Sequence, residues 1–172
     1  MTYEQGIKLI QGAWYPKQPT AWMDLGCGNG FFTKALATRL PPGSIIHAWD
    51  VNALSLDTIP EKIDGVDIKK QACDFINTPL PEEGIEGILM ANSLHYVPDQ
   101  VTFLKKLRTV IRPGGVLLII EYDRIQANSW VPYPVPFSKL ESLANQAEWI
   151  SIQKNGTAPS RYGAEIYAAF LQ

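Results

Sequence analysis

The stretch Trp22-Met23-Asp24-Leu25-Gly26-Cys27-Gly28-Asn29-Gly30 decides how this chain is read. The apolar run Thr20-Ala21-Trp22-Met23 ends in an acid. Three glycines follow at alternate positions, and Phe31-Phe32-Thr33-Lys34-Ala35-Leu36-Ala37 opens a helical pattern. A strand, a tight glycine turn and a helix start account for that order. Such a turn lets backbone approach a ligand where a Cβ would clash. The helix N-terminus aims free N–H groups at the same place.

The glycine spacing separates two ligands. A dinucleotide fingerprint needs Gly-x-Gly-x-x-Gly and a later acid for the ribose. Here the third glycine of that pattern is replaced by Phe31, whose ring would hinder close helix–strand packing. That disfavours a nicotinamide-dependent oxidoreductase. Asp24, two residues before the first glycine, is also foreign to that fingerprint.

Outward from this turn, strands and helices alternate. A short amphipathic helix is predicted over Tyr3 to Gly12, and the first strand over Ala21 to Leu25. Its helix runs from Phe31 to Leu40 and is stopped by Pro41-Pro42-Gly43. Ser44 to Trp49 is a second strand ending at Asp50. A helix follows over Ala53 to Lys62, which Pro60 shortens or ends early. Val66 to Gln71 and Ile85 to Ala91 are the next strands. Asp99 caps a helix that carries Val101, Leu104, Leu107, Val110 and Ile111 on one face. Val116 to Ile120 is continuously apolar, as a strand buried on both faces requires. After the proline-rich run Trp130 to Pro136, a helix is predicted over Ser138 to Glu148. Trp149 to Gln153 and Ile166 to Leu171 are then two strands of an antiparallel edge hairpin.

Asp24-x-Gly26-x-Gly28-x-Gly30 resembles the first motif of class I S-adenosylmethionine-dependent methyltransferases. Three further stations follow in that family's order: Asp50 after the second strand, Asp74-Phe75 after the third, and Asn92 after the fourth. Arg112-Pro113-Gly114-Gly115 precedes the fifth. The resemblance reaches from about Ala21 to Asp123 and implies a Rossmann-like α/β fold. Its sheet would be doubly wound, mostly parallel and seven-stranded, with the last strand antiparallel and helices on both faces. It implies S-adenosyl-L-methionine as cofactor. Asp24, Gly26, Cys27, Gly28 and Gly30 would then lie at the amino-acid part. Asp50, with Val51 beside it, would lie at the ribose, where a carboxylate accepts from both hydroxyls. Asp74 and Phe75 would lie at the adenine, and Asn92 would border the cofactor. Rival roles exist for two acids: Asp50 could cap the next helix, itself or through Asn52, and Asp74 could be a solvated loop acid.

A methyl on a sulfonium is already activated, so the protein's task is to align a nucleophile. His95 is the candidate base near the methyl, against the alternative that Leu94-His95-Tyr96 merely packs. Tyr96, Tyr122 and Arg161 are candidate acceptor contacts with His95, and Glu121 and Asp123 flank Tyr122 on the substrate side. Trp130, Tyr133 and Phe137 would form either an apolar lid or part of a rigid connector.

Composition narrows the acceptor. The 172 residues suit one domain spanning 1–172. A net charge of −2 gives no footprint for nucleic acid or an anionic membrane. The strand-four loop Ala91-Asn92-Ser93-Leu94 lacks the Pro-Pro-Tyr/Trp signature of enzymes that methylate DNA or glutamine amino groups. Two cysteines and two histidines show no metal spacing. No stretch reaches transmembrane length and no signal peptide is evident, so the cytoplasm is expected. The expectation is methyl transfer to a small molecule. The alternative is a non-catalytic S-adenosylmethionine-binding module or a subunit of a larger assembly. With few residues before the first strand and no large insertion, an open pocket is expected, or one covered by a partner subunit or a second copy.

Overall fold

The computed structural model describes residues 1–12, 15–81, 84–160 and 164–172. Eight strands form one sheet: β1 (Ala21–Leu25), β2 (Ile45–Asp50), β3 (Lys62–Ile63), β4 (Val66–Ala72), β5 (Ile85–Ala91), β6 (Ile111–Tyr122), β7 (Ile152–Pro159) and β8 (Glu165–Leu171). Their spatial order is β3-β4-β2-β1-β5-β6-β8-β7. The five strands from β4 to β6 in that order pair in parallel, and β8 runs antiparallel to both its neighbours. β1 is central, so the glycine turn leaves the sheet at its middle, at the carboxyl ends of the strands, where open α/β sheets bind ligands.

The sheet has one strand more than the seven expected. The addition, β3, is a two-residue strand antiparallel to β4. Asp64-Gly65 joins the two with φ of 49° and 84°, the positive-φ pair of a tight hairpin turn. The helix predicted to reach Lys62 therefore stops early: α3 covers only Ala53–Asp57. The edge strand β7 is displaced from the predicted Trp149–Gln153 to Ile152–Pro159. Its Gln153 and Lys154 are exposed at the sheet edge and Asn155 donates to the Leu9 and Gln11 carbonyls, so the strand carries no apolar pattern.

Among the described residues, five α-helices cover both faces. α1 (Tyr3–Leu9) begins in a capping box between Thr2 and Gln5. α2 (Phe31–Ala37) follows the glycine turn, and α4 (Gln100–Val110) is capped by Asp99, which accepts from the Thr102 amide. α5 (Phe137–Gln146) precedes β7. On one face Leu9, Leu36 and Leu56 pack with Trp22, Ile46 and Leu118. On the other Phe103, Leu104, Leu107, Leu140 and Leu143 pack with Met23, Ile88 and Leu117. The alternation along β1 thus feeds two cores. Trp22 is fully buried because Gly87 on β5 makes room: a Cβ there would lie 2.4 Å from the indole.

Candidate functional site

The three alternate glycines each hold a backbone conformation that L side chains rarely adopt: φ is 79° at Gly26, 54° at Gly28 and 78° at Gly30. Their surroundings differ. A Cβ on Gly26 would meet Ser93 at 2.5 Å and one on Gly30 would meet Ile59 at 2.8 Å, so these two also secure packing. Above Gly28 no atom lies within 4 Å. The turn is therefore packed at its two ends and open at its centre, in a cavity of about 280 Å³ lined by Asp24, Gly26, Cys27, Gly28, Phe31 and Asn92, among others.

Two unpartnered oxygens belong to residues of this cavity wall. Asp24 is fully buried at the end of β1. Its Oδ2 accepts from the Thr33 hydroxyl at 2.6 Å, and its buried Oδ1 has no hydrogen-bond partner among the described residues. Burial pushes its carboxyl up to about 7; the Thr33 hydrogen bond works against this and the charge of Asp50 adds to it. Asn92, at φ 54° after β5, likewise has a buried Oδ1 with no partner. Buried polar atoms are normally satisfied, so this pair marks a place where a donor is missing. An ammonium group fits: it presents three donors and a charge complementary to Asp24.

Asp50, at the end of β2, is tied to the turn. Its Oδ2 accepts from the Gly28 amide at 2.8 Å and its Oδ1 from the Asn52 amide at 2.9 Å. Asn52, not Asp50, caps α3 by accepting from the Ser55 amide. Val51 is exposed beside it. Asp74 closes a local turn, accepting from the Ile76 amide at 2.9 Å and the Asn77 side chain at 2.6 Å. Phe75 is buried against Phe103, with its ring edge under Gly26. Cys27 is buried, and burial with the nearby Asp24 and Asp50 charges drives its thiol upward, away from nucleophile chemistry.

Asn92 also borders a second, larger cavity of about 500 Å³, lined with His95, Tyr96, Tyr122, Arg124, Asn128, Trp130, Val131 and Ala164. His95 sits in a short 3₁₀ turn, Leu94–Tyr96, and is buried with Glu121 of β6. Its Nδ1 lies 2.7 Å from Oε2 of Glu121, and its amide donates to Oε1 at 3.1 Å. The carboxylate contacts the residue at two points, the ring at Nδ1 and the backbone at its amide; with the Nδ1 proton directed at Glu121, a neutral imidazole presents Nε2 as its acceptor. Tyr96 and Tyr122 stand 4.5 and 6.2 Å from the imidazole, centroid to centroid.

The proline-rich segment forms one wall of this cavity, through Trp130 and Val131, and is fastened at several points. The Tyr133 amide donates to the His95 carbonyl at 3.0 Å, and Gln100 donates to the Tyr133 carbonyl at 2.9 Å. The Tyr167 hydroxyl donates to the Val135 carbonyl at 2.7 Å. Phe137 lies against Tyr167 in α5 rather than in the cavity wall. Arg161 lies outside the described residues.

Of the residues that the sequence assigned to the cofactor, Asp24, Gly26, Cys27, Gly28 and Asn92 line the smaller cavity, and Gly30, Asp50, Val51, Asp74 and Phe75 lie outside its lining; of those assigned to the acceptor, His95, Tyr96 and Tyr122 line the larger one. Sequence reading missed four participants. Thr33 was read only as a helix residue, although it lies one turn into α2 and faces the acid of β1. Glu121 was noted at the strand end but not as the partner of His95. Arg124 and Asn128 carried no motif at all.

Comparison with known proteins agrees with this geometry. The family described as methyltransferase domain matches residues 23–119. An uncharacterised methyltransferase of Mycobacterium tuberculosis is 28% identical over 100 residues, 58% of this chain and 49% of its own. A demethylmenaquinone methyltransferase of Lactobacillus johnsonii is 30% identical over 103 residues, 58% of this chain and 42% of its own. The chain thus matches about half the length of these curated relatives. A solved S-adenosylmethionine-dependent methyltransferase from Aquifex aeolicus superposes over 100% of both chains with a TM-score of 0.64 at 18% identity. Among the described residues no helix is long and apolar enough to cross a membrane.

Proposed function

Because the chain belongs to the methyltransferase domain family, we propose that it transfers a methyl group from S-adenosylmethionine to a small-molecule acceptor. The observation that carries this reading is the pair of buried, unpartnered oxygens, Oδ1 of Asp24 and Oδ1 of Asn92, on residues lining the cavity that opens above Gly28.

The cofactor supplies a methyl group activated on a positively charged sulfur. This chain's residues bind and orient. Asp24 and Asn92 accept from the amino group of the amino-acid part. Gly28 lets the backbone come close to it. Asp50, already fixed by the Gly28 amide, keeps lone pairs for ribose hydroxyls. Val51, Asp74 and the Phe75 edge extend the surface toward the adenine. The acceptor occupies the 500 Å³ cavity, which is within the size range of small-molecule sites. Asn92 lies in both walls, so donor and acceptor meet beside it. The demethylmenaquinone methyltransferase among the relatives, named for a small-molecule acceptor, supports this class. The two-point grip on His95 favours catalysis over a purely binding role.

Calorimetry with S-adenosylhomocysteine tests the reading. Saturable binding at one site per chain is the expected result. A folded sample that gives no heat overturns it.

A further inference from the structure

The acceptor cavity has a chemistry of its own. His95 is held by Glu121 with both groups buried, so the imidazole is oriented and Nε2 is the nitrogen left for reaction. Three other ring systems, Tyr96, Tyr122 and Trp130, share the wall. Tyr96 and Trp130 are 45% and 77% exposed, so a flat ligand seated on them would bury apolar ring surface. Arg124 adds a permanent positive charge to this wall. Among the described residues no carboxylate pairs with it. The adjacent acid is committed elsewhere: Asp123 accepts from the Phe137 amide at 3.0 Å and from Lys154 at 3.3 Å. A cation without a counter-charge beside an aromatic surface selects an anionic, planar ligand.

We infer that the acceptor is a hydroxyaromatic acid, with its carboxylate on Arg124, its ring among Tyr96, Tyr122 and Trp130, and its hydroxyl on Nε2 of His95. The inference rests on the methyltransferase reading above and names the substrate class of that same site. The acceptor hydroxyl gives its proton to Nε2. The phenolate oxygen forms the new O–C bond as the S–C bond breaks, and that electron pair stays on sulfur as the neutral thioether. The imidazolium then returns its proton to solvent. Glu121 is a positioning residue: it touches no reacting atom, fixes the ring and offsets the charge that develops on it.

The experiment uses the full chain with 2-, 3- and 4-hydroxybenzoate and with phenol. Calorimetry is run without cofactor, and mass spectrometry is run on reactions with S-adenosylmethionine. At least one hydroxybenzoate should bind, more tightly than phenol, and yield its methyl ether. Arg124→Gln should remove the preference over phenol. His95→Gln should lower kcat on the order of 10²–10⁴-fold, and His95→Ala should regain rate on addition of imidazole, which a packing role would not give. Glu121→Gln should lower kcat with little change in hydroxybenzoate affinity. If no hydroxybenzoate binds or is O-methylated while S-adenosylhomocysteine still binds, this inference is overturned and the methyltransferase reading stands. If S-adenosylhomocysteine does not bind either, both fall. Binding that is unaffected by Arg124→Gln, or a His95→Gln enzyme with unchanged kcat, also overturns it.

Discussion

The hydroxyl of Thr33 donates to Oδ2 of Asp24 at 2.6 Å, while Oδ1 of the same fully buried carboxylate has no partner among the described residues. One oxygen is therefore anchored and the other reserved. The reserved oxygen is costly without a ligand, because a buried charge lacks the water that would stabilise it. That cost is visible in the elevation of its pKa to about 7.

The sign of the pH dependence follows. An unfolded aspartate loses its proton near pH 4, whereas folded Asp24 keeps it to about 7. Between those limits the folded state holds a proton that the unfolded chain lacks. Stability from this group is full below about pH 4, falls as pH rises, and levels off above 7. Asp24→Asn should therefore match the wild type near pH 4 and exceed it at pH 8 by up to on the order of 4 kcal/mol. Urea unfolding at both pH values measures this; a variant less stable at pH 8 contradicts it. A cationic amine prefers the ionised carboxylate, so wild-type affinity for S-adenosylhomocysteine should rise with pH up to 7 and then flatten. Asp24→Asn should lose that rise.

Gly28 and Gly26 should separate ligand space from packing space. Both have positive φ, so an alanine at either costs about 1–2 kcal/mol in backbone strain. Only at Gly26 does the Cβ also meet protein, Ser93 at 2.5 Å. Gly28→Ala should fold with a modestly lower Tm and lose cofactor binding, its methyl filling the open space. Gly26→Ala should lower Tm further. Thermal melts paired with calorimetry distinguish them, and a Gly28→Ala protein that binds normally would remove that position from the site.

What could be read from the chain divides along a physical line. The central strands were legible because burial on both faces leaves uninterrupted apolar runs such as Val116 to Ile120. The glycine turn was legible because positive φ restricts residue type. β3 was not, since two residues carry no period and the helical reading of 53–62 covered its first residue. On the proposed cofactor side, Asp24, Asp50 and Asp74 could be picked out one by one because each stands at or just past the carboxyl end of a strand. The acceptor side was not. His95 and Glu121 are 26 residues apart in sequence, and only the parallel register of β5 and β6, with Ala91 opposite Ile120, brings their strand ends together.

On the other side of β5, the register with β1 sets Gly87 opposite Trp22. A Cβ on Gly87 would come within 2.4 Å of the indole, which is fully buried and has nowhere to retreat. Gly87→Ala should destabilise by at least the 1–3 kcal/mol typical of overpacking. Trp22→Phe alone should also destabilise by leaving a void. Combined, the two should cost less than their sum, because the smaller ring gives the new methyl room. Denaturant titrations of the four proteins complete the cycle, and strict additivity would show that the contact does not limit packing here.

Asp50 provides the corresponding test on the cofactor side. Its two oxygens accept from the Gly28 and Asn52 amides, so the carboxylate is oriented before any ligand arrives. A preoriented acceptor spends little entropy on binding. Charge-assisted hydrogen bonds contribute on the order of 1.5–3 kcal/mol, so Asp50→Ala should weaken S-adenosylhomocysteine binding roughly 10- to 150-fold. Part of that loss would come from a loosened turn. Asp50→Asn discriminates: its remaining carbonyl oxygen can hold the Gly28 amide while the charge is gone. If the ribose contact dominates, Asp50→Asn should keep the wild-type Tm and still lose most of the affinity. If the turn dominates, it should recover nearly all of it. Affinity unchanged in both variants would take Asp50 out of the binding site.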